Sequence, residues 1–184
     1  MSIVTDLTLK EFTSHVSDQK HAMAGAVIAA SAAEAVALGQ ACVTISRDAG
    51  PTLSAPVDAL NQIRQQMLTF TERDANAIAE LVAMRAAGQE LQGRQLLCEL
   101  PADLCRACIQ AAGLLQDFRP HTDERVRDDL EMSIRLLSGA AGAAMLLLDS
   151  NLRHWPDLAP TFEPILSDLL NGLETIQPVN RIRA

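Results

Sequence analysis

The residues in this chain that could do chemistry are few and scattered. Three of its four cysteines form the run Cys98-x6-Cys105-x2-Cys108. Cys105 and Cys108 would share one face of a helix, as two metal ligands must. No nearby histidine or fourth cysteine completes a tetrahedral set, so no metal site is expected and three small buried hydrophobes are the better reading. His15 and His154 carry no specific signal. Lys20 and His21 stand in a polar break, Ser17-Asp18-Gln19-Lys20-His21, just ahead of an alanine-rich segment. His21 titrates near neutral pH and can serve as an acid. Where the following helix begins, uncovered backbone N–H groups can meet a ligand.

That segment, Ala24 to Ala41, is the most distinctive in the chain: twelve of its eighteen residues are Gly, Ala or Ser, and its only charge is Glu34. A second small-residue run, Ser138 to Ala144, lies in another apolar stretch. Helices with so little side-chain bulk allow other backbones to come close, which predicts two thin helices at the centre of a bundle, with Gly25, Ala29, Ala33 and Ala37 along the seam. Aromatic residues make up 3% of the 184-residue chain and tyrosine is absent, while alanine and leucine dominate. Those are strong helix formers, whereas strands favour β-branched and aromatic residues. The expectation is an all-α, single-domain bundle of six or seven helices spanning 1–184.

Thr8 and Glu11 have the spacing of a capping box opening a short helix, whose Leu9, Phe12 and Val16 would lie on the core. The alanine-rich helix is expected from about Ala22 to Ser46. A third should start near Ser54 or Pro56 and run to Ala87, with a possible kink at Phe70-Thr71-Glu72. Pro101 suits the first turn of a fourth. Thr122-Asp123 can cap a fifth to about Leu152, and a sixth spans about Thr161 to Thr175.

The net charge of −8 argues against a nucleic-acid partner, because such binding rests on phosphate neutralisation. Ala24–Ala41 has roughly the length of a membrane span, but Glu34 and Gln40 would sit inside it, so no membrane span is expected. Met1-Ser2-Ile3-Val4-Thr5-Asp6 lacks the basic and apolar blocks of a signal peptide, so a reduced, cytoplasmic location is expected.

A resemblance covers about residues 7 to 175. The order Leu9-Lys10-Glu11-Phe12, the alanine-rich helix ending Val43-Thr44-Ile45, Asp74-Ala75-x-Ala77, Glu99-Leu100-Pro101, and Asp129-Leu130 ahead of a small-residue helix ending at Asn151 resembles the cyclodeaminase/cyclohydrolase family. The resemblance implies a helical subunit that forms a homodimer. It also implies a folate-type pterin as substrate or ligand, with no bound cofactor, in a cleft between helices. Its activity would be hydrolysis of a cyclic amidine C–N bond in one-carbon metabolism. Asp74 and Asp129 would then orient or deprotonate water, and His21, or Lys20, would assist the departing nitrogen. Lys20, Met23, Gly25, Ala26 and Asn151 would line the substrate. The family's Pro-Gly-Gly-Gly-Ser turn reads here Ala22-Met23-Ala24-Gly25-Ala26, keeping one glycine and losing the serine. Ile78 stands where an aromatic residue follows the aspartate motif, Asp128 where a serine precedes Asp129, and Leu147 where the family has a first asparagine. The alternatives are a family member that binds a pterin or other small molecule without catalysis, and a dimeric helical assembly subunit.

Overall fold

The computed structural model describes residues 3–19, 23–48, 56–89 and 93–182. Within them are six α-helices and no strand: α1 (Leu9–Asp18), α2 (Ala24–Asp48), α3 (Val57–Ala86), α4 (Arg94–Phe118), α5 (Arg127–His154) and α6 (Ala159–Thr175). Helices α2, α3, α4 and α5 stand as the corners of a square, each packed on its two neighbours. Helix α6 lies against α4 and α5, and the N-terminal 3-10 turn Val4–Asp6 lies against α3.

Two hydrogen bonds fix α2 and α5 as antiparallel. Ser133 Oγ donates to the Ala35 carbonyl at 2.7 Å, and the Asp123 N–H donates to Ser46 Oγ at 2.9 Å. Alanine lets these backbones approach, and close packing accumulates dispersion contacts that larger side chains would forfeit by holding the helices apart. Gly39 is a point of close packing: a Cβ there would stand 2.7 Å from Ser133 Oγ and closer still to the Leu115 methyls. Ala29, Ala32 and Ala33 are buried as the seam requires, but Ala37 is exposed, so the seam turns away from it.

Larger side chains fill the centre, among them Leu60, Met67, Leu104, Leu115, Ile134 and Leu148. The three α4 cysteines and Cys42 are free thiols buried in or against this core. Burial pushes Cys98 and Cys105 up to about 11, which suits inert packing groups rather than nucleophiles. No cluster of metal-binding side chains occurs among the described residues.

Three elements differ from expectation. Helix α1 has its capping box, with Thr8 Oγ1 accepting from the Glu11 N–H, but none of its residues is buried and Leu9 is 67% exposed. Of the expected core stripe, Val16 packs on the small cluster of Met23, Ala26 and Ala75, while Leu9 and Phe12 line a groove. Helix α3 runs unbroken through Phe70-Thr71-Glu72. Pro101 lies well inside α4 rather than in its first turn. A proline there removes the N–H that would bond to the carbonyl four residues earlier. That carbonyl belongs to Leu97, and Asn151 Nδ2 of α5 donates to it at 2.6 Å. A side chain from a neighbouring helix thus supplies the missing bond.

By length and composition, Ala24–Arg47 and Glu124–His154 are apolar enough to cross a membrane. Both are bundle helices here, and at most half of each apolar window is buried.

Candidate functional site

The first turn of α2 is built from contacts made by α3. Asp74, 5% exposed, points across from α3, and its Oδ2 accepts the Ala26 N–H at 2.8 Å. Ala26 is in the first turn of α2, where N–H groups have no partner within the helix. The carboxylate therefore caps α2 from outside, favoured by the positive end of the helix dipole. Gly25 is required by this arrangement, because a Cβ on it would overlap the Asp74 carboxyl group. Burial holds the Asp74 carboxyl above the ordinary carboxylate range, opposed by the Ala26 hydrogen bond, which favours the charged form. Met23 is buried with Ala26 and Ala75, against the half-buried Val4 and Val16, and closes the space beside the cap.

Asn151 is half-buried, and its amide N–H is committed to Leu97. Asp129 is exposed in the first turn of α5. Burial raises the Cys42 thiol, and the Asp129 charge raises it further. On α5 Asp129 falls between the Asp123–Ser46 and Ser133–Ala35 contacts with α2, which sets it along the C-terminal half of α2. Cys42 lies about 24 Å along α2 from Ala26, at roughly 1.5 Å per residue. Within one subunit, then, Asp74 meets the N-terminal end of α2, Asp129 lies along its C-terminal half, and the two do not act on one atom. Met23, Gly25, Ala26 and Asp74 are brought together. Lys20 and His21 lie outside the described residues.

Among the described residues no buried side-chain oxygen or nitrogen lacks a hydrogen-bond partner. Thr71 donates to the Met67 carbonyl and Thr122 to that of Phe118, so both hydroxyls are used within their own segments. The interior is satisfied without a ligand.

Below the capped turn, a groove of about 280 Å³ runs between α1, α2 and α3. Val4, Leu7, Phe12 and Leu68 form its walls, and Ala30, Ala33 and Ala37 give it a smooth floor. A Thr5 N–H to Glu72 Oε1 hydrogen bond ties the covering arm to α3. Two charged groups line the same groove: Glu34, exposed on α2, and Arg64, half-buried on α3. Arg64 donates to Asn61 Oδ1 at 2.9 Å but forms no ion pair with an acid among the described residues. Sequence reasoning gave Glu34 no site role, although it is the one charge in the small-residue run. Nothing in the sequence singles out Arg64.

No curated protein sequence matches this chain. Among solved structures, formiminotetrahydrofolate cyclodeaminase from Thermotoga maritima shares the fold, with a TM-score of 0.77 over 93% of this chain and 92% of that one, at 18% identity. The profile of the formiminotransferase-cyclodeaminase family matches residues 8–161. With the helical order and the whole-length structural likeness, that match places the chain in the formiminotransferase-cyclodeaminase family.

Proposed function

We propose that this chain is a small-molecule-binding member of its family, taking a folate-type pterin into the groove under α1 without hydrolysing it through the groups of one subunit. The observation that carries this is the employment of Asp74 as the cap of α2. Water attack on a cyclic amidine needs a carboxylate within hydrogen-bond reach of the water and a donor for the leaving nitrogen. Asp74 is sealed against Gly25 and Ala26, Asp129 lies along the C-terminal half of α2, and Asn151 is bonded to Leu97.

The groove offers chemistry of another kind. A pterin is flat, with adjacent N–H donors that suit a carboxylate, and its glutamate tail carries carboxylates that suit a guanidinium. Phe12 and Leu68 supply apolar walls, and Glu34 and Arg64 supply the two charges. The volume is near the lower end for ligand pockets, about 300 Å³, which suits a ring with its tail outside. Hydrolysis is the second reading, favoured by family membership and by the raised proton affinity of Asp74.

The test combines a thermal shift with 5-formyltetrahydrofolate and an absorbance assay on methenyltetrahydrofolate. The expected result is a raised Tm that is lost in Glu34→Gln and Arg64→Ala, with the methenyl chromophore decaying at the buffer rate. Decay above that rate, abolished in Asp74→Asn, overturns the non-hydrolytic half. Absence of any shift overturns the ligand.

A further inference from the structure

We propose that the N-terminal arm, residues 4–18, is a lid that lifts from the bundle on its own and closes over the ligand groove. The inference rests on the groove being the ligand site and names how that site is entered and sealed.

The arm and the C-terminal segment, residues 176–182, both cross the outside of the bundle, and they are fastened very differently. Three side chains clasp the C-terminal segment by its backbone. Gln116 donates to the Thr175 carbonyl and accepts the Gln177 N–H, Arg119 donates to the Gln177 carbonyl at 2.7 Å, and Arg135 donates to that of Val179 at 2.9 Å. Ile176 is also buried in the core. The arm has neither kind of support. Among the described residues the Thr5–Glu72 bond is its one hydrogen bond to the bundle, and no ion pair holds it. The capping box and the His15–Gln19 contact are local to the arm and tie it to nothing else. Close backbone packing is confined to the turn Val4–Asp6 on α3, and α1 lies closely alongside no other helix. Val4, Leu7, Phe12 and Val16 are half-buried, and no residue of the arm is fully buried.

What the arm does is complete the groove. Leu7, Leu9 and Phe12 line it together with the α2 alanines and Leu68 of α3, so lifting the arm removes one wall of the pocket. The alanine floor offers no long side chains to interlock with, and the arm forfeits few dispersion contacts when it parts from α2. Segments with few buried apolar contacts open at low free energy while the rest of a fold stays intact. A ten-residue helix is marginal alone in water, so a lifted α1 also unwinds. A ligand in the groove adds contacts to Phe12 and Leu7, which draws the arm down, as closing loops do over substrates.

The test contains no ligand, so it succeeds or fails apart from the folate reading, which fails on the absence of a thermal shift. Hydrogen exchange of the full wild-type chain should show α1 amides exchanging at least about a hundredfold faster than those of α2 and α5, without acceleration in urea below the unfolding transition. Ala33→Cys places a thiol on the groove floor, in a chain whose own four thiols are buried. That thiol should react with an aromatic disulfide reagent at least about tenfold faster than the native ones. Glu72→Ala frees the Thr5 N–H and should speed both α1 exchange and this labelling by about threefold or more, with α4 and α5 amides unchanged. Exchange of α1 amides only with unfolding of the whole bundle would overturn the lid. Labelling that ignores Glu72→Ala would overturn it too, because the groove would then be open without movement of the arm.

Discussion

The two halves of α2 each have an aspartate from a neighbouring helix alongside, and the two aspartates lead opposite lives. At the N-terminal end Asp74 is buried, bonded to a backbone N–H and pressed against a glycine. Along the C-terminal half Asp129 is in water. The difference follows from what a helix exposes at its ends. The N-terminus presents donors, so a carboxylate drawn into it is held. Further along α2 the backbone N–H groups are bonded within the helix, and Asp129 gains instead from the first turn of its own helix, α5. Matching a family position therefore says which helix end an acid occupies, not which atom it serves.

The strongest way to break this contrast is Gly25→Ala. The added methyl must displace a pinned carboxylate, and overpacking of this kind costs about 1–3 kcal/mol. Urea unfolding should show the loss, and the same substitution in an Asp74→Ala background should cost much less. A cost that persists without Asp74 would mean the glycine serves something else.

Asn151→Ala tests the same end of the bundle from α5. It leaves the carbonyl of the buried Leu97 without a partner, at about 1–3 kcal/mol. Repeating it in Pro101→Ala, where residue 101 regains an N–H, should shrink the loss to under about 1 kcal/mol. Equal losses in both backgrounds would detach Asn151 from the proline.

Asp74→Asn sharpens the contrast through pH. The fold raises the Asp74 pKa, so the native state holds its proton more tightly than the unfolded chain does. Stability from this group is then fully present below its unfolded pKa of about 4 and is lost as pH rises through the higher folded value. Wild type should lose ground to Asp74→Asn over that window, and the gap should be constant above it. A wild type that gains stability relative to Asp74→Asn as pH rises would reverse the sign. The smallest effect belongs to Asp129→Asn, expected within about 0.5 kcal/mol of wild type because the side chain is exposed.

Much of this architecture can be read from residue order. Alanine-rich and leucine-rich periodicity announces the helices, and the Thr8–Glu11 box begins α1 where its spacing says. What escapes is whatever depends on a distant strip of chain. Glu72-Arg73-Asp74 looks like an ordinary solvated face, and only the arrival of the α2 N-terminus buries its last member. Pro101 reads as a helix start because the group that makes it tolerable sits fifty residues further on. Gly25 was visible as the one surviving glycine of a family turn, but the reason for its smallness, a carboxylate rather than a ligand, lies on another helix.

The Pro101–Asn151 pair has a consequence for how such a chain can change over generations. Each residue excuses the other, so the order of replacement matters: giving up the asparagine first leaves an orphaned carbonyl, whereas giving up the proline first sets the asparagine free to drift. Lineages that have lost the proline are therefore where residue 151 should vary.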